Sequence, residues 1–306
     1  MFLKKISLQN FKCLADIELS FEIDEISIRK WTLILGENGT GKSNLLKSIA
    51  LITAGSSSMG ELIGNTDSWI QYGQNSCTIN AVLETKKGEE RSISLTINRG
   101  DNLYKILSNN KDALHLIDDA IEKANRNYFV VAYGASRRLG SDPFSGFDNS
   151  RFGGRSLNVR NLFDSSFSLN PLASWIIELD YRSGEDGIKI VKDALIGFLP
   201  GTTYHGIDKE KKQVFFDTVD GIIPLDQLSD GYQNMAAWIG DLLYRVTETF
   251  RDYNNPLAAR GLLLIDEIDL HLHPKWQKTL LKLFVRLADA TGNQFLLATH
   301  SPTFVS

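Results

Sequence analysis

Alternating hydrophobic and polar residues at the start of the chain predict two short strands around a turn, in MFLKKISLQNFKCLADIELSFE (residues 1–22). A second alternating stretch, residues 77–100, predicts a hairpin that turns at Lys87-Gly88. A third, residues 206–225, has the same pattern. The three segments therefore predict antiparallel strand pairs.

Short apolar runs and helical spacings alternate along the rest of the chain. The apolar runs predict strands at residues 31–35 (WTLIL), 128–134 (YFVVAYG), 261–265 (GLLLI) and 294–300 (QFLLATH). Apolar residues at helical spacing predict helices at residues 42–52, 111–125, 171–182, 187–199 and 275–290. Strands that alternate with helices are typical of an α/β protein. There is no internal repeat and no heptad pattern long enough for a coiled coil.

The stretch LSDGYQ, residues 228–233, precedes another helical pattern. Apolar residues follow it at helical spacing: Met235, Trp238, Ile239, Leu242, Leu243 and Val246. Taken alone, LSDGYQ predicts an ordinary helix start, with Ser229 or Asp230 as the N-cap and Gly231 in the turn.

Composition is that of an ordinary soluble globular protein, with 42% apolar and 23% charged residues in 306. The net charge of −4 gives no overall basic field for nucleic acid. Cys13 and Cys77 lie far apart and suit a reducing compartment. The start of the chain lacks the apolar core of a signal peptide, and no stretch approaches 18 apolar residues. We therefore expect a cytoplasmic protein without membrane segments.

The sequence GENGTGKS, residues 36–43, matches the phosphate-binding pattern G-x-x-x-x-G-K-[ST]. Glycines let the backbone wrap a phosphate with its N–H groups, and the following helix adds positive potential at its N-terminus. Lys42 is expected to reach the β- and γ-phosphate oxygens, and the hydroxyl of Ser43 to contact Mg²⁺. A predicted strand precedes this loop and a predicted helix follows it, so the pattern predicts a nucleotide site.

Carboxylates follow the apolar strand at residues 261–265. Asp266 stands where it can hold the Mg²⁺ shell, and Glu267 where it can accept a proton from the water that attacks the γ-phosphate. The alternative is an acidic pair that faces solvent. His300 follows the strand at residues 294–300 in the same way. Since ligands bind beyond the carboxyl ends of strands in open α/β sheets, His300 is expected to contact the γ-phosphate.

Two other groups of residues leave alternatives open. Asp269, His271 and His273 in DLHLHP could form a transition-metal site, although polar contacts at a dimer interface are favoured. Residues 134–160 hold five Gly and five Ser, which predicts a flexible loop. Its arginines outnumber its aspartates by five to two, so it is the predicted nucleic-acid contact; the arginines are Arg137, Arg138, Arg151, Arg155 and Arg160.

These motifs, in this order, resemble those of the ABC-type ATPases of the SMC/RecF/OLD-like group. The order is a phosphate loop, an LSxGx signature, a DE pair after a strand and a switch His. ISLQNFK is similar to the start of that group, and LIDEIDLHLHPKWQ and LLATHSP are similar to its AAA-annotated bacterial members, which include the ATPases of anti-phage systems such as Septu. The resemblance covers essentially the whole chain.

The resemblance implies an α/β P-loop NTPase fold: an ABC-type ATPase head with a mixed central sheet, an antiparallel β-subdomain and a helical signature lobe. It implies one head over residues 1–306, with lobe I at about 1–135 and 258–306 and the signature lobe at about 136–257. The cofactors would be ATP and Mg²⁺, with Ser43 and Asp266 at the metal and Lys42, Glu267 and His300 catalytic. The implied nucleotide contacts are Gly36, Glu37, Asn38, Gly39, Thr40, Gly41, Lys42, Ser43, Asn44 and Lys12.

The resemblance also implies a homodimer that sandwiches two ATP molecules head to tail. Ser229, Asp230 and Gly231 of one copy would then meet the γ-phosphate bound by the other. Such a dimer would gate an effector, for example a nuclease, in anti-phage defence. The alternatives are a nucleotide-dependent scaffold with little hydrolysis and a RecF-like DNA repair ATPase.

The chain departs from the family pattern at three points. The usual aspartate of the D-loop falls near His273. No Q-loop glutamine follows the strand at residues 128–134, where Arg137 or Arg138 is expected to contact phosphate instead. The sequence stops six residues after His300, so the expected head is short at its C-terminal end.

Overall fold

The computed structural model describes residues 1–24, 27–85, 88–137, 154–196, 199, 201–250, 261–270 and 272–304. Its strands are β1 (Phe2–Phe11), β2 (Leu14–Ser20), β3 (Trp31–Leu35), β4 (Ser76–Glu84), β5 (Glu90–Asn98), β6 (Val130–Tyr133), β7 (Thr203–Asp208), β8 (Gln213–Thr218), β9 (Gly221–Pro224), β10 (Leu262–Ile265) and β11 (Gln294–Thr299). Its α-helices are α1 (Lys42–Thr53), α2 (Ser56–Leu62), α3 (Leu103–Asn109), α4 (Lys111–Ala124), α5 (Ser156–Phe163), α6 (Leu172–Ile196), α7 (Asp230–Thr249) and α8 (Pro274–Thr291).

The alternating segments near the N-terminus form an antiparallel sheet of order β2-β1-β4-β5. Leu8 of β1 lies opposite Ile17 of β2 and Ile79 of β4. Every second residue of β4 is buried, as period-two alternation requires. The two predicted strand pairs are thus confirmed, although residues 86–87 at the predicted hairpin turn lie outside the described residues.

The central sheet has the order β3-β11-β10-β6, and all of its described pairs are parallel. We expected a mixed sheet. Its strands run parallel because helices and long connections separate them along the chain, which returns each strand in the same direction. The antiparallel pairs belong to the other two sheets.

Alternate residues of β10 point into two different cores. Leu262 and Leu264 pack in the core that contains α1, whereas Leu263 and Ile265 pack in the core that contains α7 and α8. Both faces of the sheet are therefore covered at β10, which explains why this strand is a continuous apolar run. The helix after the phosphate loop and the helix after LSDGYQ consequently pack on opposite faces of one sheet.

The segment between β6 and β10 holds helices and a third sheet of order β7-β8-β9. The hairpin predicted at residues 206–225 is confirmed within it. The helices predicted at residues 171–182 and 187–199 are the two arms of α6, which changes direction at Gly184, where φ is 53°. The predicted loop at residues 134–160 is wrong at its end, because α5 begins at Ser156 and buries Val159 and Leu162.

The described part of the chain contains no helix that is long and apolar enough to cross a membrane.

Candidate functional site

The phosphate loop joins the end of β3 to the start of α1. The ammonium of Lys42 donates to the carbonyl oxygens of Gly36 at 2.7 Å and Glu37 at 2.8 Å. Gly39 and Gly41 have φ values of 83° and 99°, in the left-handed region that favours glycine. The loop therefore wraps around the Lys42 side chain and leads directly into the helix.

Gly41 is needed for its lack of a side chain as well as for its backbone angle. A β-carbon at this position would lie 2.6 Å from Cδ2 of Leu14 and 2.9 Å from Sγ of Cys13. The turn between β1 and β2 thus packs directly against the loop, and Nδ2 of Asn44 donates to Sγ of Cys13 at 3.4 Å. Only a glycine fits this contact.

The first turn of α1 can bind an anion with its backbone. In the described structure no side chain caps the helix at Gly41. The N–H groups of a first helical turn have no intrahelical acceptor, and the helix dipole makes that end positive. The loop and the helix start together therefore fit a nucleotide phosphate.

Lys12 lies in the turn that supports the loop. Its backbone N–H donates to the Trp69 carbonyl at 2.9 Å, and its ammonium lies 4.2 Å from the centroid of the Trp69 ring. Burial, followed by the nearby charge of Lys47, lowers the pKa of Lys12 below its usual value. The structure places this ammonium over an aromatic ring, and the nucleotide contact of Lys12 stays a prediction.

Asp266 and Glu267 follow β10 with different exposure. Asp266 is buried, and its Oδ1 accepts the backbone N–H of Glu267 at 3.1 Å. Glu267 is more exposed and has φ of 43°, which is rare for a residue with a side chain. Strained backbone of this kind clusters at functional sites. A buried carboxylate beside a more exposed one matches the predicted roles in holding a metal and accepting a proton.

His300 is oriented by Asp269, which the sequence grouped with His271 and His273. The buried carboxylate of Asp269 accepts the hydroxyl of Thr299 at 2.5 Å and lies 3.2 Å from Nδ1 of His300. This contact leaves Nε2 of His300 free to meet a ligand. An open cleft of about 330 Å³ lies beside the pair, lined by Asp269, Leu270, Gln277, His300, Ser301 and Pro302. No local signal in the sequence links Asp269 to a residue that far along the chain.

The alternative transition-metal site is not supported by the described residues. Among them, no group of three or more His, Cys, Asp or Glu side chains could hold a metal ion. Asp269 is already bonded to Thr299 and His300. His271 lies outside the described residues.

The order of the central sheet brings the predicted residues to one edge. β11 lies between β3 and β10, with Thr299 opposite Leu35 and Leu297 opposite Ile265. Because parallel strands end at the same edge, the phosphate loop, His300 and the Asp266–Glu267 pair follow three adjacent strands. The structure therefore brings these three motifs to one edge of the sheet, and their roles there stay predictions.

LSDGYQ forms the start of α7. Ser229 is the N-cap by its backbone angles, but its side chain makes no capping hydrogen bond. Ser229 and Asp230 are exposed, whereas Gly231 is buried. Nε2 of Gln233 donates to the carbonyl oxygens of Asp226 at 3.0 Å and Leu228 at 2.7 Å, which fixes the incoming chain. The helix start therefore presents the hydroxyl of Ser229 on the surface, and this hydroxyl does not cap the helix.

The three arginines of residues 134–160 that the structure describes do not form one exposed basic surface. Arg137 is 5% exposed and bonds protein groups in place of the predicted phosphate. Arg155 donates to the carbonyl oxygens of Thr53, Ala54 and Tyr128. Arg138 and Arg151 lie outside the described residues, so the predicted nucleic-acid contact there stays a prediction.

Arg160 is the third described arginine of the segment, and it lies within salt-bridge distance of acidic groups. Its guanidinium is 3.5 Å from Glu61 and 3.9 Å from Asp164. The described arginines are therefore engaged by the protein itself.

Two family profiles match the chain. The profile described as "AAA domain, putative AbiEii toxin, Type IV TA system" matches residues 76–306. The profile described as "AAA ATPase domain" matches residues 1–136. Together they span the phosphate loop, LSDGYQ, the DE pair and His300.

Curated relatives include a Septu protein, a retron ATPase and an OLD nuclease. The chain is 26% identical to the Septu protein PtuA of Bacillus mycoides (strain KBAB4), over 98% of this chain and 38% of that protein. It is 25% identical to the "Retron Vc95 probable ATPase" of Vibrio cholerae serotype O1 biovar El Tor, over 98% and 70% respectively. It is 24% identical to the OLD nuclease of Thermus scotoductus, over 99% of this chain and 59% of that protein. The chain thus spans less than two thirds of the Septu and OLD proteins.

Solved structures share the fold. An SMC head, bound in its crystal to the C-winged helix domain of ScpA, covers 99% of this chain and 91% of its own, with 15% identity and a TM-score of 0.56. The match to the recombination mediator RecF with ATPrS covers 100% of this chain and 94% of the RecF chain, with 14% identity and a TM-score of 0.50. The expected SMC/RecF-type head fold is confirmed.

Proposed function

We propose, because this chain belongs to the AbiEii-type AAA domain family, that it binds ATP with Mg²⁺ and hydrolyses it. The observation that carries the proposal is the shared edge of the central sheet. There the phosphate loop, His300 and the Asp266–Glu267 pair end three adjacent strands. Phosphoryl transfer needs this set of groups around one phosphate: backbone donors, a cation, a metal ligand and a proton acceptor.

The chain offers suitable ligands for each part of Mg²⁺–ATP. The backbone from Gly36 to Asn44 would bind the phosphates, and Lys42 would neutralise the β- and γ-phosphate oxygens. The Ser43 hydroxyl and the Asp266 carboxylate are oxygen ligands, which Mg²⁺ prefers. When bound, the metal would neutralise charge that develops on the transferred phosphate.

Two residues would act where water attacks the γ-phosphate, one on the water and one on the phosphate. Glu267 would accept its proton, since its carboxylate follows a metal-holding residue and is more exposed than Asp266. His300 would hydrogen-bond the γ-phosphate through Nε2, since Asp269 binds its Nδ1. Asp269 is therefore a positioning residue, which fixes the imidazole without touching the substrate.

The start of α7 would complete the site of a second copy. Ser229 is exposed and its helix start is uncapped by side chains, so it can meet an anion from outside the chain. We propose a head-to-tail homodimer in which each ATP lies between the phosphate loop of one copy and the α7 start of the other. The head fold shared with SMC and RecF structures supports this arrangement.

Steady-state phosphate release tests the enzyme proposal. Glu267→Gln is expected to retain ATP binding, lose at least about 100-fold in kcat and accumulate the ATP-bound dimer. Lys42→Ala is expected to lose ATP binding, whereas Lys47→Ala, on the same helix, is the matched control that retains it. Turnover of Glu267→Gln at the wild-type rate would refute the assigned base. ATP-dependent dimers that release no phosphate in the wild type would favour the scaffold alternative.

Sedimentation with ATP tests the dimer. Ser229→Arg is expected to bind ATP normally as a monomer, because the added side chain fills the space that a partner's γ-phosphate needs. Val219→Arg adds the same side chain at an exposed hairpin tip and serves as the control. An ATP-dependent Ser229→Arg dimer would contradict the proposed interface.

An effector such as a nuclease is the proposed partner, and anti-phage defence the proposed role. Relatives with Septu, retron and OLD nuclease names support this proposal. Phage plating on cells that carry the gene with its chromosomal neighbours provides the test. Protection is expected to be lost with Lys42→Ala and retained with Lys47→Ala. Equal protection by both variants would exclude an ATP-dependent defence role.

A further inference from the structure

Arg137 lies just beyond β6 and connects parts of the chain that belong to different motifs. Its Nε donates to the Gly134 carbonyl at 3.0 Å, and its Nη1 to Oδ1 of Asn234, in the first turns of α7, at 3.1 Å. Its Nη2 donates to the carbonyl oxygens of Asp266 and Glu267, the latter at 3.0 Å. One guanidinium thus joins the start of α7 to the turn that carries the metal-holding and proton-accepting carboxylates.

We propose that Arg137 is a positioning residue that couples the start of α7 to the Asp266–Glu267 turn. Its fixed fork of donors suits this task, because two adjacent carbonyls and one amide must be held at the same time. Glu267 has φ of 43°, and Nη2 binds the carbonyl groups on both sides of that residue's N–Cα bond. Arg137 therefore holds the strained backbone from which the Glu267 side chain projects.

The charge of Arg137 persists despite its burial. Burial lowers its pKa to about 10, and the carboxylates of Asp266, Glu267 and Asp269 oppose that shift. The guanidinium consequently remains protonated at neutral pH. Hydrogen bonds from a charged donor are stronger than neutral ones, so this connection resists separation.

A second contact joins the same two regions. The ring of Tyr232, in the first turn of α7, meets the ring of Trp276 in α8 edge to face, with centroids 4.1 Å apart. α8 begins at Pro274, further along the chain than the Asp266–Glu267 turn. The start of α7 is therefore held to the turn by the polar contact of Arg137 and to the helix after that turn by an aromatic contact.

The consequence rests on the proposed function. In the proposed dimer, the Asp266–Glu267 turn of one copy serves its own ATP, whereas the α7 start of the same copy serves the ATP of its partner. Arg137 would then transmit the state of one ATP site to the other. Sites coupled in this way bind their ligands cooperatively, so wild-type turnover is expected to depend on ATP with a Hill coefficient above 1.

Substitutions of Arg137 and of Asn234 test the coupling. The measurement is the rate of phosphate release as a function of ATP concentration. Asn234→Leu removes one bond and leaves the carbonyl contacts of Arg137 in place, so the Hill coefficient is expected to fall to 1 with a small change in kcat. Asn234→Asp retains the acceptor and is expected to restore the wild-type Hill coefficient. Arg137→Met is expected to lower both the Hill coefficient and, by about tenfold or more, kcat.

Arg155→Met is the matched control, because Arg155 is a partly buried arginine that also donates to three carbonyls, but to none in these motifs. It is expected to lower the melting temperature and leave the Hill coefficient unchanged. The inference is overturned if Asn234→Leu retains the wild-type Hill coefficient, or if Arg155→Met lowers it equally. Should Arg137→Met fail to fold, Asn234→Leu decides alone.

The outcome for the wild type separates this inference from the proposed function. A wild-type protein that hydrolyses ATP with a Hill coefficient of 1 overturns the coupling only. A wild-type protein that binds no ATP overturns the proposed function and the coupling with it.

Discussion

Replacement of Asp241 by alanine should be among the most destabilising single changes in the described chain. Its carboxylate is fully buried in the middle of α7. Oδ2 accepts the hydroxyl of Tyr133 at 2.9 Å and Nε of Arg245 at 2.6 Å. Oδ1 accepts the backbone N–H of Asn170 at 3.0 Å and its Nδ2 at 2.6 Å. One side chain thus binds α7 to β6 and to the segment before α6.

The magnitude follows from what the substitution leaves behind. Asp241→Ala leaves the guanidinium of Arg245, which is 8% exposed, without its carboxylate partner. Breaking a buried ion pair in this way costs about 3–5 kcal/mol, more than the roughly 0.5–1.5 kcal/mol of one ordinary hydrogen bond. We expect a loss of about 3–5 kcal/mol, which is a large part of the stability of a typical domain.

Urea unfolding measures the change in the free energy of unfolding. Glu248→Ala is the control on the same helix, because it removes a more exposed pair with Arg182 and should cost about 1 kcal/mol or less. Asp241→Leu combined with Arg245→Met should cost less than the sum of the single changes, since no charge then remains unpaired. A loss for Asp241→Ala no larger than that for Glu248→Ala would refute the reasoning.

Three further predictions concern single sites. Gly41→Ala should weaken ATP binding more than Gly39→Ala in a titration, because both have positive φ but only Gly41 faces side chains within 3 Å; equal losses would contradict the contact. Asp269→Asn should lower kcat for ATP by about tenfold, because His300 loses its anionic partner; an unchanged kcat would exclude this role. Burial raises the pKa of Cys77 to about 11, so iodoacetamide at pH 8 should label this thiol only after unfolding; rapid labelling of the folded protein would contradict its burial.

Local patterns predicted the elements that carry the chemistry. The apolar runs at residues 31–35, 261–265 and 294–300 correspond to β3, β10 and β11. β10 and β11 are short strands buried along their whole length, and β3 is partly buried. Strands covered on both faces are apolar runs, and these end at polar residues. The sequence also indicated Gly39 and Gly41, because both have backbone angles that other residues adopt at a cost.

Local patterns were misleading where a segment's role depends on distant contacts. Residues 134–160 have a loop-like composition, yet α5 begins at Ser156 and its short apolar face packs into the core. Arg137 and Arg155 were predicted to contact phosphate or nucleic acid, yet Arg137 is buried, Arg155 is partly buried, and both donate to carbonyl groups of the protein. Every residue has a backbone carbonyl, so the residue types in the sequence do not indicate which carbonyl accepts a hydrogen bond.

The sequence by itself determined the phosphate loop, the carboxylate pair and the strand ends on which they stand, because each depends on residues close together in the chain. Only the tertiary structure decided that β11 lies between β3 and β10, that Asp269 orients His300, and that Arg137 joins α7 to the Asp266–Glu267 turn. Arg137 is 97 residues from Asn234 and 130 residues from Glu267 along the chain. Such contacts arise when whole helices and sheets pack together, and a local pattern of residue types does not encode that packing.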